Sequence, residues 1–290
     1  MPSLTPWRRL ALGSLNFPPR RNACSGSSTR ANLIQLKERF MKLGLEGKVA
    51  LITGGARDVG REIAVGLANE GAAVVVNYNG SKAAAQAVVS EIRERGGKAL
   101  AIGCDISKMD AVKAMVAQTV AEFGRLNILV NNAGLVIRKR FADTTPEEWQ
   151  RQIDVCLYGT LNCTHAALPH LEESKGEGRI ITIVGDSSRV GESGLALGAA
   201  ARAANVALMK SIARETRAGL TANTLALGLI ETAHDPEFIK ANREKLTKLY
   251  PLRRLGQPKD VAPMAVLLAS VEGGWITGQV ISISGGFSMV

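Results

Sequence analysis

The apolar run Val49-Ala50-Leu51-Ile52 leads straight into Thr53-Gly54-Gly55-Ala56-Arg57-Asp58-Val59-Gly60 and then into apolar residues at helical spacing. Such a junction allows few folds. Four consecutive apolar residues read as a parallel strand buried on both faces, and Val59, Ile63, Ala64 and Leu67 read as the inner face of a helix. Glycines at a strand-to-helix turn let the backbone approach a pyrophosphate, which the amides of the helix N-terminus then hold. Asp58 speaks against this in part, because a carboxylate on that loop repels an anion, and a plain tight turn is the alternative. For a phosphate to sit here, the Asp58 carboxylate must turn outward or cap the helix at Val59 to Ile63.

From Lys48 onward, short apolar runs alternate with helical periods, which predicts a doubly wound Rossmann fold: one α/β domain over residues 41–290 with a seven-stranded parallel sheet. Further strands are expected at Ala73–Asn77, Ala99–Ile102, Asn127–Val130, Ile180–Val184, Ala222–Leu225 and Val280–Ile283. A helix spans Ala83 to Arg95, and a long one starts at Pro146 with Thr145 as its N-cap. After Thr232 the segment from His234-Asp235-Pro236 to Leu252 breaks the alternation and reads as a lid over a substrate pocket.

The net charge of +10 is concentrated at one end. Arg8, Arg9, Arg20, Arg21, Arg30, Lys37 and Arg39 stand against Glu38 alone, so residues 1–40 carry +6 and the body is only mildly basic. That distribution points away from a nucleic-acid partner. Residues 1–40 lack a pattern that could join a core and are expected to be disordered. They read either as an organelle transit segment or as a misassigned start before Met41, since Lys37-Glu38-Arg39 can be encoded by a purine-rich ribosome-binding run. No stretch reaches the ~18 apolar residues that a membrane span needs. Cys24, Cys104, Cys156 and Cys163 show no ligand spacing, so reduced thiols in a cytoplasmic protein, and no metal, are expected.

Taken in order, the motifs resemble the short-chain dehydrogenase/reductase family over Leu45 to Val290. Thr53 to Gly60 is similar to the family's T-G-x-x-x-G-x-G loop, with Asp58 at the middle glycine, and Asn131-Asn132-Ala133-Gly134 to its N-N-A-G. Gly228-Leu229-Ile230-Glu231-Thr232 is similar to its P-G-x-I-x-T segment with Leu227 for the proline. Pro251 to Ala262 and Ile276 to Gln279 resemble the tail of 3-oxoacyl-thioester reductases. The resemblance implies a dinucleotide held by Gly54, Arg57, Asp58, Val59, Gly60, Asn77, Asp105, Ile106, Asn132, Ala133, Gly134, Arg202, Gly228, Ile230 and Thr232. It also implies a small-molecule or acyl-thioester substrate and a homotetramer or homodimer. Asn77 and Tyr78 stand where an acidic residue would bind a ribose 2′-hydroxyl, and Arg57 can pair with a phosphate, so NADP is favoured over NAD.

The same resemblance locates a catalytic tetrad, and none of it survives. The asparagine, serine, tyrosine and lysine positions fall on Cys156, Gly185, Gly198 and Arg202. Tyr78, Tyr158 and Tyr250 are the only tyrosines, and none restores a Tyr-x-x-x-Lys pair. Glycine donates no proton, an arginine is a poor proton shuttle, and losing a general acid costs about 10² to 10⁴ in rate. Among substitutes, Ser187 and Ser188 follow Gly185, while Asp186 either serves as a base or pairs with Arg189 or Arg202. Glu192 and Glu231 are further pocket carboxylates, Cys156 and Cys163 share a helix face as packing residues, His165 and His170 read as structural, and His234 stands in the lid. Three functions remain open: a reductase of 3-oxoacyl thioesters or cyclic ketones with unorthodox groups, a non-catalytic cofactor- or partner-binding member, and a non-redox isomerase or lyase.

Overall fold

The computed structural model describes residues 43–216, 219–233 and 236–290. The basic segment 1–40, with both expectations about it, and His234 lie outside the described residues.

Seven parallel strands form one sheet in the order β3-β2-β1-β4-β5-β6-β7. They are β1 Val49–Ile52, β2 Ala73–Tyr78, β3 Ala99–Gly103, β4 Ile128–Asn131, β5 Arg179–Gly185, β6 Thr221–Leu227 and β7 Val280–Ile283. The helices are α1 Asp58–Asn69, α2 Lys82–Glu94, α3 Met109–Phe123, α4 Pro146–Ile153, α5 Gly159–Glu172, α6 Ser187–Val190, α7 Ala196–Glu215, α8 Pro236–Thr247 and α9 Pro258–Ala269. The expected lid segment is therefore largely helical.

Successive strand residues point to opposite faces. Ala50 and Ile52 pack with Ile63, Leu67, Ile92 and Val261 from α1, α2 and α9. Leu51 faces the other way, toward Met115, Cys163, Leu171 and Met209 from α3, α5 and α7. Two covered faces explain why β1 is an unbroken apolar run. The chain reverses its direction of growth between β1 and β4, and ligands of open parallel sheets bind at the carboxyl ends of strands at such a point.

The long helix from Pro146 starts as its sequence predicts. Thr145 Oγ1 accepts the Glu148 amide (3.4 Å) and the Glu148 carboxylate accepts the Thr145 amide (3.1 Å). It is not uniform, however, since Asp154–Tyr158 forms a π turn between α4 and α5. Such turns recur at functional sites. Here the Cys156 carbonyl accepts Asn205 Nδ2 from α7 (2.7 Å), which ties the turn to the helix that carries Gly198 and Arg202.

At α9, Asp260 accepts the Gln257 amide (2.7 Å) and both Nη groups of Arg254 (2.6 and 2.9 Å). The Arg254 hydrogen bonds hold its carboxyl below the usual carboxylate range, with the Gln257 amide assisting. Because the folded value is depressed, the stabilisation is present at neutral pH and disappears as the pH falls through that value. Asp260→Asn is expected to cost about 1 kcal/mol at pH 7 in urea denaturation, with the difference shrinking below about pH 4.

Candidate active site

Thr53, only 1% exposed, joins the two halves of the site. Its hydroxyl accepts the amides of Asn132 (2.9 Å) and Ala133 (3.0 Å) and donates to the Val130 carbonyl (3.3 Å). Asn132 Nδ2 returns hydrogen bonds to the carbonyls of Thr53 (2.9 Å) and Gly54 (3.1 Å). Asn77, 2% exposed, holds the other side: its Oδ1 accepts the Gly54 amide (3.3 Å), and its Nδ2 reaches the carbonyls of Ile102 (3.3 Å) and Cys104 (3.1 Å). Asn77 thus braces the glycine loop from inside. Gly54 has φ of +62°, and a Cβ on Gly60 would collide with the Gly54 carbonyl and Asn132 Nδ2, so the glycines at these two positions are structural requirements.

Asp58 also has a left-handed backbone, with φ of +50°. That conformation suits glycine, and aspartate is among the few other residues that tolerate it. Its carboxylate neither turns outward nor caps α1. Arg57 is the N-cap, so Asp58 is already inside the helix, past the position from which a side chain reaches the first-turn amides. Instead Oδ1 accepts the Ala233 amide (3.1 Å), in the segment after β6, and Oδ2 is buried without a hydrogen-bond partner, 3.9 Å from Arg57 Nε.

The other residues assigned to the cofactor are less uniform. Val59 and Ile230 are core residues, and Gly228 lies close against Ser284 and Tyr250, where a Cβ would approach to 3.0 Å. Asp105 Oδ1 accepts the Ser107 amide (3.0 Å) and hydroxyl (2.8 Å), closing a local turn. Ile106 is buried against Gly159 and its carbonyl accepts Asn162 Nδ2 (3.0 Å). Thr232 and Gly134 are half-buried.

At the four positions that the resemblance assigns to a tetrad, neighbouring side chains crowd the glycines. Cys156 Sγ accepts the Leu135 amide (3.3 Å) and faces the Leu135 carbonyl (3.4 Å). A Cβ on Gly185 would meet Ser187 Oγ at 3.0 Å, so that hydroxyl stands next to the missing side chain. A Cβ on Gly198 would lie 2.6 Å from Gln152 Nε2 and 3.6 Å from Arg202 Nη1. Gln152 is completely buried, and its Nε2 donates to the Leu135 carbonyl (3.0 Å). Nothing in the sequence marks Gln152, because its role depends on α4 meeting α7. Arg202 Nη2 occupies the space that a Cβ on Gly134 would take.

Asp186, 1% exposed, accepts from Ser282 Oγ (2.8 Å) and lies 4.0 Å from Arg189 Nη1, so it is bound to β7 and α6 and not to Arg202. Ser188 donates to the Gly185 carbonyl (2.6 Å). Glu192 pairs with Arg138 (3.4 Å), and Glu231 with Arg243 and Gln257. His165 is exposed and His170 lies near Glu173, both away from these residues. Burial pushes the Cys104 and Cys163 thiols up, and both pack in the core. Among the described residues no cluster of His, Cys, Asp and Glu gathers as metal ligands, and no helix is long and apolar enough to cross a membrane.

Residues 54–288 match the sequence model of a family described as enoyl-(acyl carrier protein) reductase. The 3-oxoacyl-[acyl-carrier-protein] reductase FabG of Staphylococcus aureus (strain Mu50) is 39% identical over 243 residues, 83% of this chain and 98% of that protein. The chain belongs to the short-chain dehydrogenase/reductase family. Another family relative, the (2S)-[(R)-hydroxy(phenyl)methyl]succinyl-CoA dehydrogenase subunit BbsD of Thauera aromatica, is 37% identical over 85% of this chain and 99% of its own length. Among solved structures, a Serratia marcescens short-chain dehydrogenase/reductase superposes with a TM-score of 0.80 at 35% identity, covering 84% of this chain and 99% of that one. A metagenomic blue fluorescent protein in complex with NADPH gives 0.80 at 31%, covering 85% and 100%.

Two measurements probe this geometry. Thr53→Val strands two backbone amides and is expected to cost about 2–6 kcal/mol in urea denaturation, at roughly 1–3 kcal/mol per unsatisfied group. Asp58→Gly removes a carboxylate from the glycine loop and releases Ala233. NADPH affinity, read by fluorescence titration, is expected to rise about tenfold or more, since one unit charge at close range is worth more than the 1.4 kcal/mol this requires.

Proposed function

We propose that this chain is a dinucleotide-binding member of its family that does not perform the family's proton-relayed carbonyl reduction and acts as a non-catalytic subunit of an assembly. The observation that carries this reading is the filling of the Gly198 site by Gln152 and Arg202, neither of which donates a proton as an acid. Cys156 is engaged with the Leu135 backbone, and Gly185 offers no hydroxyl. Loss of the general acid, about 10² to 10⁴ in rate, combines with loss of a polarising donor worth about 10² to 10³.

The cradle still suits a dinucleotide. No side chain caps the first turn of α1, so its amides remain available to an anion, and Gly54 and Gly60 permit close approach. Gly54, Arg57, Asp58, Val59 and Gly60 would border the phosphates, and Asn132, Ala133, Gly134 and Arg202 the ribose side. NADP is preferred because the Arg57 side chain is 53% exposed and β2 ends without an acid. A bound nicotinamide supplies a hydride, and these residues supply no matching proton. BbsD is by name one subunit of a dehydrogenase. By analogy, this chain would support a catalytic relative or pair with its own copies as a homodimer or homotetramer.

One observation favours a second reading. Ser187 Oγ lies beside the space where a side chain on Gly185 would begin, so it is placed to polarise the carbonyl of a 3-oxoacyl thioester or cyclic ketone in a slow reductase. The carboxylate an isomerase or lyase would use, Asp186, accepts Ser282 through Oδ1, with Oδ2 buried and unpartnered.

Purified protein starting at Met41 should be titrated with NADPH and NADH, then assayed at 340 nm with 3-oxoacyl thioesters and cyclic ketones. NADPH binding without turnover is the expected outcome. Turnover abolished by Ser187→Ala would overturn it in favour of the second reading. The triple change Gly185→Ser, Gly198→Tyr, Arg202→Lys is expected to remain inactive by the same assay, because the new tyrosine meets Gln152; adding Gln152→Ala relieves that clash.

A further inference from the structure

The hydrogen bond between Asp58 and Ala233 joins two parts of the fold that the sheet holds well apart. Asp58 opens α1, which follows β1, and Ala233 follows β6. β4 and β5 lie between those two strands, so three strand spacings, roughly 14 Å, separate their carboxyl ends. To meet Asp58, the segment after β6 must therefore reach back over the ends of β4 and β5, where Asn132 to Gly134 and Gly185 stand. That is the crevice in which open parallel sheets bind their ligands.

This segment is firmly held as far as Glu231 and hardly at all beyond it. Ile230 forms a parallel bridge with Gly256, the Glu231 amide donates to the Gly256 carbonyl (2.9 Å), and the Gly256 amide donates to the Leu229 carbonyl (3.1 Å). Among the described residues, Thr232 and Ala233 make a single hydrogen bond, from the Ala233 amide to Asp58 Oδ1 (3.1 Å). Ala233 is exposed, and the bond leaves Asp58 Oδ2 buried without a partner. A carboxylate half-satisfied in this way gives the contact little net stability, so it is poised to open. A pyrophosphate on the uncapped first-turn amides of α1 would stand against the same carboxylate, like charge against like.

We propose that the Asp58–Ala233 hydrogen bond is an autoinhibitory clasp. Without nucleotide it straps the segment after β6 across the dinucleotide cradle; an incoming pyrophosphate repels the carboxylate, breaks the bond and frees Ala233. Nucleotide binding thus loosens this segment, whereas a plain cover would be tightened by its ligand. By linkage, whatever holds the clasp shut weakens nucleotide binding by the same factor. The inference rests on the reading above that the cradle takes a dinucleotide.

The test is amide hydrogen exchange at Ala233 of the full chain, read by NMR with and without saturating NADPH, beside NADPH titrations of Asp58→Gly and Asp58→Asn. In the wild type, NADPH is expected to speed exchange at Ala233 about tenfold, the scale of one hydrogen bond to a charged acceptor. Asp58→Gly should exchange at the faster rate before any nucleotide is added. Asp58→Asn keeps an acceptor and tolerates the left-handed backbone while removing the charge. It should therefore retain part of the protection at Ala233 and gain less NADPH affinity than Asp58→Gly. Exchange that NADPH slows or leaves unchanged in the wild type, or that Asp58→Gly leaves unchanged in the free protein, would overturn the proposal. So would equal affinity gains in the two variants, which would assign the whole effect to charge. NADPH binding to none of the three proteins removes the dinucleotide reading and the clasp's role with it; a wild type that binds NADPH without freeing Ala233 sinks the clasp alone.

Discussion

The site depends on one buried hydroxyl. Thr53 Oγ1 takes two amides from the turn after β4 and gives its proton to a β4 carbonyl, joining segments nearly 80 residues apart in sequence. The glycine loop has few side chains with which to hold itself, and its shape is imposed from outside by Thr53, Asn77 and Asn132. An unmade hydrogen bond at any of these buried groups costs more than a made one contributes. That asymmetry keeps the cradle rigid whatever happens to the chemistry above it.

Against this rigid base, Asp58 is an acid where the backbone geometry favours glycine. It keeps the left-handed conformation and uses its carboxylate to hold the Ala233 amide, so the loop and the segment after β6 are joined across the cleft. A glycine would leave those two segments independent. The loop thus keeps its shape while its electrostatics are altered.

Much of this was legible in the sequence. Continuous apolar runs located all seven strands, with ends displaced by a residue or two, because both sheet faces are covered and periodicity is not needed to see them. Thr145 and Pro146 announced α4 through local chemistry alone. The π turn at Asp154–Tyr158 was not visible, since its carbonyl at Cys156 is met by Asn205, 49 residues later. The bracing of the glycine loop by Asn77 and the fit of Gln152 beside Gly198 have no local signal in the sequence. Both act through contacts that exist only once distant elements pack. Neighbour identity in space, not residue type, decides such roles.

The fit of Gln152 against Gly198 also constrains substitution. With Gln152 in place, any side chain at 198 is disfavoured, and with glycine at 198 the amide has a buried niche and a firm partner in Leu135. Each residue makes the other harder to replace, so the two are epistatic. A side chain larger than hydrogen at 198 requires the Gln152 amide to move. The arrangement works as a lock in which either residue is replaced most readily together with the other.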